Sequence, residues 1–322
     1  MTPHLIGAAE FTAAVPVRGG RLHVGGWHRH SAGLPVLAVH GITAHHQSWA
    51  RVAAALPGVA VVAPDLRGRG QSRMLPQPAR LDDHADDLAA VLDHFEVERA
   101  LVVGHSMGAF VTARFAQRHP DRLAGALLVD GGLPLPPPVA HADGSMPSAD
   151  ELLGPALARL ERRFCDLQEY RNFFREHPAF GPMWDEWVQA YVDYDLIGDE
   201  DDLHPSAVAA AVRVNLLELQ EPELHLQAAR TLPEDTEVLR VDRGLLDELP
   251  GLYPADHARA LAAALPNLDI TTVDGLNHYS ILLSRAGAEA VADSIRAALA
   301  RATGADGHLV PTAPVATTPE GL

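Results

Sequence analysis

Ala100-Leu101-Val102-Val103-Gly104-His105-Ser106-Met107-Gly108 decides how this chain folds. An apolar run of strand type leads into a pentapeptide flanked by glycines, and a helix-like pattern over residues 109–118 follows. A strand that turns into a helix within five residues holds its middle residue in a strained conformation. Glycines on either side let strand and helix approach closely. The middle residue is Ser106, so its hydroxyl is expected at the tip of the turn, where a sheet presents a nucleophile. The phosphate-cradling patterns G-x-G-x-x-G and G-x-x-x-x-G-K-[ST] are absent around it, and the chain contains no lysine, which removes a P-loop.

Outward from this turn, short apolar runs recur at residues 34–39, 59–63, 124–129, 237–241 and 268–273. Their length suits strands buried on both faces of a parallel sheet. Helical patterns fill the gaps at 48–56, 81–95 and 254–265, and a last helix is expected over 284–302. Such alternation marks βαβ units. Residues 11–17 and 21–27 flank Arg18-Gly19-Gly20 and read as a hairpin. The alternation stops at Leu133-Pro134-Leu135-Pro136-Pro137-Pro138, after which helical patterning takes over, clearest at 149–164, 184–194 and 206–219. The expected organisation is an α/β core of residues 1–132 and 233–302, a helical cap inserted at 133–232, and a disordered tail at 303–322.

The 322 residues suffice for one large α/β domain with an insert, and the net charge of −17 argues against nucleic acid and anionic membrane as partners. No apolar run has the length of a membrane span, and residues 1–20 lack a basic region followed by an apolar one. The single cysteine, Cys165, allows no internal disulfide and fits a reducing compartment, so a cytoplasmic location is expected. The pairs His28/His30 and His45/His46 have no third partner at metal-ligand spacing, so no metal is expected. Oligomeric state is left open.

A serine hydroxyl is a weak nucleophile near neutral pH and needs a base that is itself oriented by an acid. Such groups gather at the carboxyl ends of parallel strands. His278, in Asp274-Gly275-Leu276-Asn277-His278-Tyr279, lies just past the last expected strand and is taken as the base. For the acid, Asp247 sits a short loop beyond the strand at 237–241 and is preferred. Asp130, at the end of the strand after the nucleophile, is the alternative, followed by Asp242 and Glu248. Two backbone amides should face a developing oxyanion. Met107, after the nucleophile, supplies one, and Ile42, in His40-Gly41-Ile42-Thr43, the other. His40 is expected to shape that loop. Around the pocket the sequence places His40, Gly41, Trp49 and Tyr279, with Trp184 and Trp187 of an aromatic-rich stretch as core stripe, apolar roof or both.

These motifs resemble the α/β-hydrolase superfamily, in its serine esterase/lipase and cofactor-free haloperoxidase-like branch. The resemblance rests on His40-Gly41 with Trp49 eight residues beyond Gly41, on Asp65-Leu66-Arg67-Gly68-Arg69-Gly70-Gln71-Ser72, and on the Ser106 turn. The order Ser106, Asp247, His278 matches the family's nucleophile-acid-base order. It implies the α/β-hydrolase fold over residues 11–302, with 133–232 the least family-specific part. It further implies an esterase or lactonase acting on a small to medium, largely apolar substrate, without metal or organic cofactor. A C–C bond hydrolase, thioesterase or amidase would use the same triad, and a ligand-binding homologue without turnover is the reading from another class. A serine nucleophile argues against epoxide hydrolase and haloalkane dehalogenase, which in this superfamily attack through a carboxylate.

Overall fold

The structure is a computed structural model, and it describes residues 6–137, 143, 145, 149–199 and 202–305. The chain opens with the hairpin β1 (Phe11–Val17) and β2 (Gly20–Trp27), followed by β3 (Val36–Val39), α1 (Ala50–Ala54) and β4 (Val61–Pro64). Then come α2 (Leu81–His94), β5 (Ala100–His105), α3 (Met107–Arg118) and β6 (Leu123–Val129). The inserted stretch contributes α4 (Ala149–Glu161), α5 (Leu167–Arg175), α6 (Glu186–Asp195), the short pair β7 (Leu196–Ile197) and β8 (His204–Pro205), α7 (Ala209–Leu219) and α8 (Pro222–Ala229). The core resumes with β9 (Thr236–Arg243), α9 (Ala255–Ala264), β10 (Leu268–Asn277), α10 (Ser280–Leu283) and α11 (Arg285–Ala305).

Eight strands form one sheet in the order β1-β2-β4-β3-β5-β6-β9-β10. The hairpin is antiparallel and joins β4 antiparallel, while all later pairings are parallel. The fold is therefore an α/β-hydrolase arrangement, a mostly parallel sheet with helices on both faces. β3, β4 and β5 are buried along their whole length, the pattern of strands covered on both sides. One face packs on α2, α3, α8 and α9 through residues such as Leu88, Phe115, Ala228 and Leu261. The other packs on α1 and α11 through Val52, Val291 and Ile295. Among the described residues no helix is long and apolar enough to cross a membrane.

Local sequence explains most elements. Asp166 and Asp185 cap α5 and α6 by accepting backbone amides of Glu169, and of Trp187 and Val188. The helix α5, not expected from the sequence, buries only Tyr170 and Phe174, a narrow i, i+4 stripe among polar residues. The helix α8, also unexpected, packs against α3, so the end of the inserted stretch contributes to the core layer. The last helix runs to Ala305, past the expected start of a tail at 303, and residues 306–322 lie outside the described residues.

Candidate active site

β5 delivers Ser106 to the carboxyl end of the sheet. Its backbone sits at φ 54° and ψ −124°, a positive φ that a non-glycine residue adopts only when its surroundings enforce it. The enforcement is visible at Gly104 and Gly108. A Cβ on Gly108 would lie 2.1 Å from the Val39 carbonyl oxygen, and one on Gly104 would lie 2.1 Å from that of Gly108. Only glycines let β5, α3 and β3 close around the serine. The Ser106 amide donates to Val129 O at 2.9 Å, which ties the turn to the neighbouring strand.

His278 follows β10 directly and is almost fully buried. Its Nδ1 lies 2.6 Å from Oδ2 of Asp130. The acid preferred from sequence, Asp247, is not the one that holds it. The Asp247 carboxylate is about one-third exposed and accepts from Arg243 Nη1 at 3.3 Å and Asn277 Nδ2 at 3.1 Å. The physical reason is strand register. β5 and β6 pair so that His105 lies opposite Val129, which puts Ser106 and Asp130 side by side at the strand ends. β9 then fixes Asp130 from the other side: Asp130 donates its amide to Leu239 O at 2.7 Å and accepts the Val241 amide at 3.2 Å through Oδ1. Asp242 accepts the Gly275 amide at 2.9 Å and Glu248 the Leu246 amide at 2.7 Å, and the carboxylate hydrogen-bonded to His278 is that of Asp130.

An ionised Asp130 is acceptor-only, so His278 Nδ1 is the protonated nitrogen and Nε2 carries the lone pair. The loop that presents it is braced by Asn277, whose Oδ1 accepts the Tyr279 and Ser280 amides at 3.0 and 2.8 Å. His105 adds a brace that the sequence reading missed. Its Nε2 donates to the His278 carbonyl at 2.8 Å, and the two rings lie 4.7 Å apart between centroids. Burial, reinforced by the neighbouring His278, holds its imidazole well below the usual pKa. The variable position of the G-x-S-x-G pattern was the available signal.

The loop after β3 reaches the serine from the opposite side. A Cβ on Gly41 would lie 3.2 Å from Ser106 Cβ and 3.6 Å from its Oγ. His40 shapes this loop as expected: Nδ1 donates to Gly41 O at 2.8 Å, and Nε2 accepts the Leu66 amide at 2.9 Å. Burial takes its pKa down to about 3, which keeps it neutral. Arg69 anchors the next residue by donating from Nε to Ile42 O at 2.9 Å, and burial lowers its guanidinium to about 9. Met107 opens α3, so its amide is among those a helix leaves without an internal partner.

Ser106, His278, Gly41, Ile42 and Tyr279 line one cavity of about 150 Å³. His40, Trp49, Trp184 and Trp187, expected at this pocket, do not line it. Trp49 is fully buried in the core beside α1. The Trp184 and Trp187 rings lie under the guanidinium groups of Arg175 and Arg51, at 4.8 and 5.4 Å. The aromatic walls come instead from Tyr191 and Tyr279, with Phe173, Phe174 and Phe180 in an adjoining chamber.

Beside the loop, Asp65 forms a closed hub. Its Oδ1 accepts the His46 amide and His46 Nδ1, both at 2.8 Å, and its Oδ2 accepts the Gln71 amide at 2.8 Å and the Tyr194 hydroxyl at 2.6 Å. Burial raises its pKa, but His46, through its charge and its two hydrogen bonds, and the nearby His45 outweigh it and hold the carboxylate far below the usual range. His23 joins His46 and Asp65 in a group with metal-ligand proximity, drawn from three separate segments and hence invisible to local spacing. The four donors on Asp65 describe a hydrogen-bonded scaffold.

A family model described as the alpha/beta hydrolase fold matches residues 35–164. Lipase LipV of Mycobacterium tuberculosis is 37% identical over 135 residues, 39% of this chain and 49% of that protein. Epoxide hydrolase B of the same organism is 40% identical over 96 residues, 29% of this chain and 27% of that protein. The matched stretches thus span half or less of these relatives. The solved structure of E-2-(acetamidomethylene)succinate hydrolase superposes with a TM-score of 0.72 at 20% identity, covering 90% of this chain and 98% of that one. On its sheet topology, its serine turn and these matches, the chain has the α/β-hydrolase fold.

Proposed function

We propose that this protein is a serine hydrolase that cleaves a carboxylic ester or lactone through an acyl-enzyme on Ser106. The observation that carries this reading is the buried His278–Asp130 pair at 2.6 Å, opening on the same cavity as Ser106. His278 Nε2 takes the Ser106 proton as Oγ bonds to the acyl carbon. The imidazolium is stabilised by Asp130. The Ile42 and Met107 amides receive the oxyanion. As the ester C–O bond breaks, His278 returns the proton to the leaving oxygen. Water, deprotonated by His278 in turn, then releases the acid from Ser106.

The apolar cavity walls favour a small to medium organic substrate, and Leu135, Tyr191, Leu216 and Leu219 of the inserted stretch contribute to them. The similarity to a lipase agrees with ester chemistry, while the epoxide hydrolase likeness covers less of the chain. No nucleic acid, membrane or cofactor enters this scheme. Labelling with a fluorophosphonate probe, followed by assays on short p-nitrophenyl esters, tests the reading. Wild type should label and turn over, and Ser106→Ala should do neither. A wild-type protein that neither labels nor hydrolyses any acyl substrate overturns it.

A further inference from the structure

The cavity at Ser106 shares Thr43, Tyr191, Leu245 and Tyr279 with a second chamber of about 260 Å³ among the inserted helices. That chamber is walled by aromatic rings, and Arg159 of α4 faces it with a side chain only 10% exposed. Nη1 of Arg159 donates to Asp195 Oδ2 and to the Tyr170 hydroxyl oxygen, each at 2.8 Å. The Tyr170 hydroxyl in turn donates to Asp195 Oδ2. Ser206 supplies its hydroxyl at 2.7 Å and its amide at 3.2 Å to Oδ1. Among the described residues Asp195 is thereby met by four donors, while Arg159 uses only Nη1.

A guanidinium carries five N–H donors, and Nε and Nη2 of Arg159 donate to nothing among the described residues. The unused Nε–Nη2 edge is the fork whose spacing fits the two oxygens of a carboxylate. The Phe174 ring, 5.4 Å from the guanidinium carbon, lies against the group. Glu248 is the other carboxylate on the chamber wall, and its Oε2 already accepts the Leu246 amide at 2.7 Å. His177, also on the wall, is kept neutral by burial and by the charge of Arg159, which lower its pKa.

We propose that Arg159 is a specificity-determining residue that binds the terminal carboxylate of an acyl substrate whose ester carbonyl lies at Ser106. The assignment rests on the acyl-transfer reading above and adds the substrate class: half-esters, or lactones that carry a carboxylate at the far end. The test is a series of mono-p-nitrophenyl dicarboxylates from succinate to sebacate. Each is compared with the plain alkanoate and with the ω-methyl ester of equal chain length. At its best chain length the ω-carboxylate should exceed both in kcat/KM by about tenfold or more, the scale of a charged hydrogen bond. That preference should vanish in Arg159→Lys, which keeps the charge but not the fork. It should vanish equally in Arg159→Met with Asp195→Asn, which leaves no buried unpaired charge.

Turnover without any preference overturns the assignment and leaves Ser106 chemistry standing. An equal gain from the ω-methyl ester overturns the carboxylate class. If no ester is turned over, the acyl-transfer reading falls by itself. Stabilisation of the full chain against heat by suberate, present in wild type and lost in Arg159→Lys, then still reads the site directly. No such stabilisation removes it.

Discussion

Asp130 Oδ2 stands 2.6 Å from His278 Nδ1, although the two residues are 148 positions apart in the chain. The contact exists because β6 and β10 both end on the side of the sheet where β5 ends, with β9 between them clamping Asp130 through Leu239 and Val241. Asp130 pays a conformational cost for its place, at φ 44° immediately beyond β6.

That geometry separates two carboxylates by experiment. Asp130→Asn, a substitution that tolerates positive φ, should lower kcat on short p-nitrophenyl esters by about 10³- to 10⁴-fold, because the amide no longer selects the Nδ1–H tautomer or stabilises the imidazolium. Asp247→Asn should change kcat by less than about fivefold, the scale of an exposed ion pair. The reverse ranking, with Asp247→Asn inactive and Asp130→Asn near wild type, would return the acid to the loop after β9.

The close approach at the serine turn predicts an asymmetry between glycines. Gly108→Ala should destabilise by about 2–3 kcal/mol, as overpacking against fixed backbone does, since its Cβ would press on the Val39 carbonyl. Gly154, inside α4 with open space around a built Cβ, should gain about 0.5–1 kcal/mol on replacement by Ala. Chemical denaturation midpoints check both, and equal shifts of one sign would contradict the packing account.

The strand runs, the Ser106 turn and the His278 loop were legible in sequence because each is local. Apolar runs of β3 to β6 and the G-x-S-x-G spacing need no tertiary information. Asp130 was a weaker reading than Asp247 because the choice depends on which strand lies beside β5. Once the chain is taken as parallel βαβ units with β6 next to β5, the residue after Val129 must sit beside Ser106. His105 and Arg69 act through a carbonyl on another element, so local sequence can mark the position, as G-x-S-x-G does for His105, but not the partner. Trp184 and Trp187 misled because composition cannot tell where a tryptophan ring lies: Trp184 precedes α6 and Trp187 stands in its first turn. The Arg51 and Arg175 side chains that cover them come from elsewhere.

Acid should weaken the fold through its buried histidines. Burial lowers His40 to about 3 and His45 to about 4. The unfolded chain takes up a proton at each near about pH 6.5, and the folded chain does so only near those lower values. Their contribution is therefore complete above about pH 6.5 and is lost as pH falls toward about 4, by about 1.4 kcal/mol per pH unit for each. Asp87 and Glu218, raised chiefly by burial, work in the opposite sense and reduce the slope. Urea midpoints should fall between about pH 7 and about pH 5 at constant ionic strength. His40→Gln, which keeps a donor and an acceptor, should flatten the decline, and a midpoint that rises toward acid contradicts the argument.

Arg67 and Asp87 test whether the segment leading from Asp65 is held by charge or by packing. Their side chains are 3% and 5% exposed and meet in two hydrogen bonds, at 2.6 Å from Nε and 2.7 Å from Nη2. Burial raises the Asp87 carboxyl despite the facing guanidinium, so desolvation consumes much of what the pair gains. Removing one partner leaves the other charged and dry. Asp87→Leu alone should therefore cost about 3–5 kcal/mol. Adding Arg67→Met should recover most of that loss, because the pair would then be replaced by apolar groups of similar reach. The Arg67 carbonyl, which accepts from Arg69 Nη1 at 2.8 Å, survives both changes, so the anchor on Ile42 should persist and ester turnover should recover with stability. Losses that simply add in the double variant would mean that charge, not filled volume, holds this segment under the serine.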